Sequence, residues 1–354
     1  MTEQPTPRSG FANWWIRTST TRIAWLYLLP AFLVMGMITF YPLFYQVWMS
    51  TTDYNIKNLR IDAVAPNPAN LSEACTTNMK GECTWGRFDN YRQIFTGELP
   101  VAIANFSFWN VLAFDLVWTF TNVPFHVIIG VLIAVLLNTK GLWFKRFYRA
   151  IFVLPIVIPS LVVAVVWRNM FDPDYGSINQ LLTSVSHLFG GSTVAARWLD
   201  QVNYPITGIP LTLSYFALLI ANIWLGWPFM TIVATGALQS IPGDLYEAAS
   251  IDGATGRQQF FKITVPMLRP VLLLVIVLST IGTLQIFDQV KILTSGGPLG
   301  TSLTPVYLVY REAIGTQGEI QMGYAAAMAF ILAIIIFVFT FLQRRFIESG
   351  TEQY

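Results

Sequence analysis

The sequence predicts an all-α polytopic membrane protein with six transmembrane helices. Of its 354 residues, 54% are hydrophobic and only 11% are charged, under half the share usual in soluble domains. The apolar residues come in long runs, and mean hydropathy is +0.54. Of the 21 basic and 19 acidic residues, only Asp115 and Asp288 fall inside those runs. A disordered chain, a secreted disulfide scaffold and an ordinary soluble enzyme are excluded on this composition. The net charge of +2 offers no basic surface for nucleic acid.

Residues 1–22 are polar and carry Arg8, Arg17 and Arg22, as expected of a cytoplasmic segment. The run that follows is too long for a signal-peptide core and reads as a retained first span. A helix needs about 20 apolar residues to cross the bilayer, and the spans fall at 23–50, 108–138, 150–167, 211–238, 270–288 and 323–342. Pro30, Pro42, Pro124 and Pro228 are the expected kink points. Residues 346–354 form a tail.

Lys and Arg set the orientation. With the N-terminus in the cytoplasm, the inner segments hold 12 basic residues in 76 positions and the outer loops 9 in 134. Lys140, Lys145, Arg146, Arg149, Arg344 and Arg345 carry most of this asymmetry, and both termini are then cytoplasmic. Loop 51–107 lies outside. If that side is the periplasm, Cys75 and Cys83 can close a short loop as a disulfide worth about 2–3 kcal/mol; two unrelated thiols are the alternative. Asn70-Leu-Ser72 matches a glycosylation acceptor over three residues only and carries no weight.

The chemistry missing from the spans is informative. Two histidines and two cysteines leave no metal site. Asp115 and Asp288 sit near span ends and read as solvated; His126 reads as a hydrogen-bonded packing residue. Ion-driven transporters carry coupling on buried ionisable groups, so a secondary transporter is disfavoured. No G-x-x-x-x-G-K-[ST] sequence occurs, so energy for active transport must come from another subunit. A membrane enzyme is disfavoured by the lack of a nucleophile elbow or paired membrane carboxylates.

The inner segment 239–269 is the most structured. Asp244 is placed to N-cap a two-turn helix beginning at Leu245, with Glu247 completing a capping box and Gly253 ending the helix in the left-handed conformation. Ala248 and Ala249 leave its backbone open to close approach. So short a helix needs something to pack against. A headgroup-bound helix should be basic, whereas this one carries Asp244, Glu247 and Asp252; a basic protein surface suits it better.

Glu247-Ala248-Ala249, then Gly253, Ile263 and Val265-Pro266, resembles the E-A-A-x3-G-x9-I-x-L-P loop of ABC-importer permeases, with Val265 for Leu the one departure. Further segments are similar to the carbohydrate-uptake group, of maltose and glycerol-phosphate type. They are Leu29-Pro30, Tyr41-Pro42-Leu43, Phe88-Asp89-Asn90-Tyr91, Phe147-Tyr148-Arg149, Leu154-Pro155, Phe171 to Gly176, Asn222 to Phe229 and Gly296-Gly297-Pro298. The resemblance covers about residues 23–345. It implies a type I importer permease in the cytoplasmic membrane of a bacterium or archaeon, itself non-catalytic and without cofactor.

Its implied partners are a second permease (a paralogue in the usual heterodimer), a homodimeric or heterodimeric cytoplasmic ATPase that holds ATP and Mg, and a periplasmic solute-binding protein that delivers a sugar. Membrane lipid surrounds the chain. The implied coupling residues are Asp244, Glu247, Ala248, Ala249, Asp252, Gly253, Ile263 and Pro266. For the solute pathway the resemblance implies Asn222, Leu225, Gly226 and Phe229. Ser279, Thr283 and Gln285 are added from the fifth span, whose alignment is looser. Helical spacing puts Asn222, Gly226 and Phe229 on one face, and Ser279 and Thr283 on another. Simple helix packing by these side chains is the alternative, and a permease for a non-sugar solute the alternative function.

Overall fold

The computed structural model describes residues 20–52, 54, 88–97, 107–139, 141–202, 205, 211–314 and 321–351. Cys75, Cys83, Asn70 to Ser72, Lys140 and most of loop 51–107 lie outside the described residues.

The described residues are mostly helical. In chain order the helices are α1 (Thr20–Met35), α2 (Tyr41–Met49), α3 (Asp89–Thr96), α4 (Phe108–Asn138), α5 (Lys145–Val157), α6 (Ser160–Met170), α7 (Ser177–Leu188), α8 (Leu213–Gln239), α9 (Gly243–Ile251), α10 (Gly256–Gln259), α11 (Val265–Leu284), α12 (Pro305–Ile314) and α13 (Met322–Thr351). Five continuous stretches are long and apolar enough to cross a membrane: Ala24–Met49, Phe108–Asn138, Leu213–Gln239, Gly256–Leu284 and Met322–Arg345; a bent pair, α5 and α6, makes a sixth if it is one span.

Three expectations from the sequence are revised. The third span is not a straight helix over 150–167: α5 and α6 meet at 95°. Ile158 precedes Pro159 and is extended (ψ 130°), as the Pro ring requires of its neighbour. Pro30, Pro124 and Pro228, by contrast, lie inside uninterrupted helices. The helix that carries the fifth span starts earlier than residue 270. Thr255 and Gln258 form a reciprocal capping box, and one helix runs from Gly256 through a π-helical turn (Phe260–Thr264) to Leu284. Residues 256–269 of the expected inner loop are therefore helical and continuous with the apolar helix.

The third revision concerns Asp115, which is fully buried rather than solvated, with neither carboxylate oxygen hydrogen-bonded. The beginning of α4 is enclosed by Ile94 of α3, Phe108, Trp118, Tyr215 and Leu218. Trp118 Nε1, Thr119 Oγ1 and Asn122 Oδ1, on the same helical face, are likewise buried and unpartnered. Burying a carboxylate without a partner is costly. Asp115→Asn is therefore expected to unfold in detergent at the same temperature as the parent or higher. A drop of several degrees in a thermal scan would show that the carboxylate has a bound partner.

The core is built on α4 against α8, the most extensive helix pair. Gly130 makes the crossing possible: a Cβ there would lie 2.3 Å from Met230 Cβ and 3.0 Å from the Thr231 backbone nitrogen. Thr231 Oγ1 donates to the Gly130 carbonyl across the same contact (3.2 Å). This is small-residue packing with a polar tie, the mode available where no hydrophobic effect drives helices together. Helix α11 packs on both α4 and α8, and α13 on α12 and α11. The α1–α2 stretch carries no buried residue in its apolar window and touches α13 at the periphery.

Candidate functional site

Two features stand out: an open cavity among α4, α8 and α11, and the exposed helix α9.

The cavity has a volume of about 370 Å³ and is lined by His126, Asn222, Leu225, Gly226, Phe229, Leu278, Ser279, Gly282 and Thr283. Six of the seven pathway residues expected from the sequence are in that lining. Gln285 is not; it lies past the end of α11 and is exposed. At 3.6 residues per turn it stands about 200° round from Thr283, so the helical face that carries Ser279 and Thr283 leaves it behind.

His126 was expected only to pack. It packs and also lines the cavity. Its Nε2 lies 3.2 Å from the Asn222 backbone carbonyl, and its Nδ1 lies 3.3 Å from Ser279 Oγ. A carbonyl only accepts, so in the neutral ring the proton sits on Nε2 and the Ser279 hydroxyl donates to Nδ1. The ring lies directly on Gly226: a Cβ there would come within 2.3 Å of His126 Cε1 and Nε2. Histidine and glycine thus form one packing unit that ties α4 to α8, while Ser279 joins α11 to it.

Asn222 donates through Nδ2 to Gln289 Oε1 (3.2 Å), and its Oδ1 is buried without a partner. Thr283 spends its hydroxyl proton on the Ser279 carbonyl (2.8 Å), leaving its oxygen to accept. Leu225, Phe229 and Leu278 give apolar surface, and no carboxylate, ammonium or guanidinium lines the cavity. Such a site suits a neutral, hydroxylated solute with an apolar face. Leu278 and Gly282 were missed in the sequence; they are four apart on the face of α11 next to Ser279 and Thr283.

Helix α9 is built differently from expectation. It starts at Gly243 behind Pro242, with no side-chain cap, so Asp244 and Glu247 are not tied up in a capping box and are exposed. The C-terminus follows expectation. Gly253 has φ +78°; its N–H bonds to the Ser250 carbonyl, and that of Ala254 to the Ala249 carbonyl, the paired bonds of a Schellman ending. Ile251 is 87% exposed. Ala248, Asp252 and Pro266 are also exposed, and Ala249 and Ile263 half-buried. Tyr246 Oη to Thr264 Oγ1 (2.9 Å) and Gln259 Nε2 to Ser250 Oγ (2.9 Å) fasten α9 to the foot of the long helix.

Residues 126–349 match the family described as binding-protein-dependent transport system inner membrane components. The chain belongs to this family. Among its relatives in that permease family, the galactooligosaccharide transport system permease GanP of Bacillus subtilis is 28% identical over 330 residues, covering 92% of this chain and 70% of that protein. The trehalose/maltose transport system permease MalF of Thermococcus litoralis is 33% identical over 236 residues, covering 67% and 74%. Against the Yersinia pestis maltose/maltodextrin permease MalF, also 33% identical, the match spans only 42% of that longer protein. A solved bacterial ABC transporter for import of the acidic polysaccharide alginate contains a chain with the same fold: TM-score 0.69 at 18% identity, covering 95% of this chain and 99% of that one.

Proposed function

We propose that the chain is one of the two permease subunits of an ABC importer for a sugar, oligosaccharide or related neutral glycoside. It crosses the cytoplasmic membrane six times, counting α5 and α6 as one broken span, with both termini in the cytoplasm. Residues 23–345 form the permease domain and α9 the coupling helix. A cytoplasmic ATPase, holding ATP and Mg, receives α9 in a cleft; a periplasmic binding protein delivers the solute; a paralogous permease completes the pathway.

The carrying observation is that a single helix joins the two features. It begins beside α9, to which Tyr246 and Ser250 fasten it, and it ends with Ser279, Gly282 and Thr283 on the cavity wall. Asp244, Glu247 and Asp252 give α9 an acidic face for basic groups of the ATPase, while Ala248, Ala249 and Gly253 admit close contact. Ile263 and Pro266 sit in the turn above. The named relatives are sugar permeases, and the uncharged cavity agrees with that class rather than with ions or charged amino acids.

Asn222 supplies an amide for a solute hydroxyl. One such hydrogen bond is worth about 1 kcal/mol, a fivefold change in affinity. Asn222→Ala is therefore expected to reduce solute uptake by about that factor or more while the ATPase still co-purifies with the permease. Unchanged uptake kinetics would rule the residue out of the pathway.

A further inference from the structure

The start of α5 carries a cluster that belongs neither to the cavity lining nor to α9. Gly141 and Phe144 both have positive φ, +83° and +56°; for a bulky side chain such as Phe144 this is a strained conformation. The turn presents Trp143 and Phe144 outward, 83% and 68% exposed, with their rings edge to face at 5.4 Å. Lys145, Arg146 and Arg149 follow at once, with Phe147 and Tyr148 exposed between them.

Among the described residues, none of the three bases has an acidic partner, and the sequence holds no Asp or Glu from 116 to 171. Arg149 Nε is shut away from solvent yet has no acceptor, and a buried donor of that kind calls for one. Helix α5 also begins without a side-chain cap, so its first N–H groups add positive potential at the same place. One turn further on, the helix exposes Ile151, Leu154 and Val157, side chains suited to acyl chains.

We propose that residues 143–149 form a binding site for the phosphate headgroup of an anionic phospholipid. The order along the helix matches a bilayer boundary: aromatic rings and bases first, aliphatic surface next. Charge complementarity selects an anionic headgroup over a zwitterionic one. A soluble acidic protein would neutralise the bases but leave the exposed aliphatic side chains of the next turns, Ile151, Leu154 and Val157, uncovered. Arg149 adds a half-buried guanidinium whose Nε has no acceptor among the described residues.

The test uses the full chain in bilayers of phosphatidylcholine and phosphatidylglycerol, with spin-labelled versions of each lipid reporting relative association. The parent is expected to prefer phosphatidylglycerol by about fivefold, the contribution of one well-placed base, and to lose that preference as salt is raised. Lys145→Gln/Arg146→Gln/Arg149→Gln is expected to abolish it, while Arg344→Gln/Arg345→Gln keeps it. No preference in the parent, an unchanged preference in the triple variant, or equal loss in both variants would overturn the proposal. So would a triple variant that keeps lipid preference but no longer co-purifies with the ATPase. The salt titration of the parent decides the matter even if the triple variant fails to insert.

Discussion

Glu247→Ala is expected to give a permease that inserts normally but no longer supports solute-stimulated ATP hydrolysis. Glu247 makes no cap within α9 and projects from its exposed face, so its loss should not disturb the local fold. Removing one member of a charged pair that is desolvated on docking costs about 2–5 kcal/mol, a thirtyfold weakening or more. Gly253→Val should act with it for a different reason. The residue sits at φ +78°, where a β-branched side chain is strained, so the paired bonds from Gly253 and Ala254 that end the helix must be given up. Both variants are checked by membrane insertion, then by ATP hydrolysis in proteoliposomes with binding protein and solute. Full activity in both would refute α9 as the coupling element.

Gly226→Val is expected to abolish uptake. Even a methyl group at this position would lie 2.3 Å from the His126 ring, and the ring has little freedom because Ser279 and the Asn222 carbonyl hold its two nitrogens. Valine must push the ring into the cavity, the helices apart, or both. The double variant Gly226→Val/His126→Ala restores room and should recover part of the uptake. Failure of any recovery, with normal insertion, would mean that Gly226 serves something other than this contact. Gly130→Leu provides a contrast: its side chain would collide with α8 itself, so loss of folded protein, rather than of uptake alone, is the expected readout.

The helices were largely legible because hydrophobic run length is a strong signal in a membrane chain. Phe108–Asn138 fell where its apolar run does. The break after α5 was not read, because Pro155 and Pro159 lie in an unbroken apolar run and proline alone does not distinguish a tolerated kink from a break. Pro124 and Pro228 show the tolerated outcome. Thr255-Gly-Arg-Gln258 is a capping box in plain sequence, but the polar residues around it read as loop. Family resemblance and helical spacing pointed to Asn222, Leu225, Gly226 and Phe229, which line the cavity. They could not find His126, which reaches the cavity only because two glycines let α4 and α8 cross closely. Asp115 was misread because distance along one helix says nothing about the neighbours that enclose its end.

The uninterrupted helix from Gly256 to Leu284 has a mechanical consequence. At 1.5 Å per residue, Ser279 stands about 35 Å from the foot of the rod, so pivoting there by about 10° would carry it sideways by about 6 Å. A small rotation imposed on α9 would thus reappear, magnified, as a stroke comparable to the width of one sugar ring. The π-helical turn at Phe260–Thr264 lies next to that foot, and a gain or loss of pitch there would change the length of the lever arm itself.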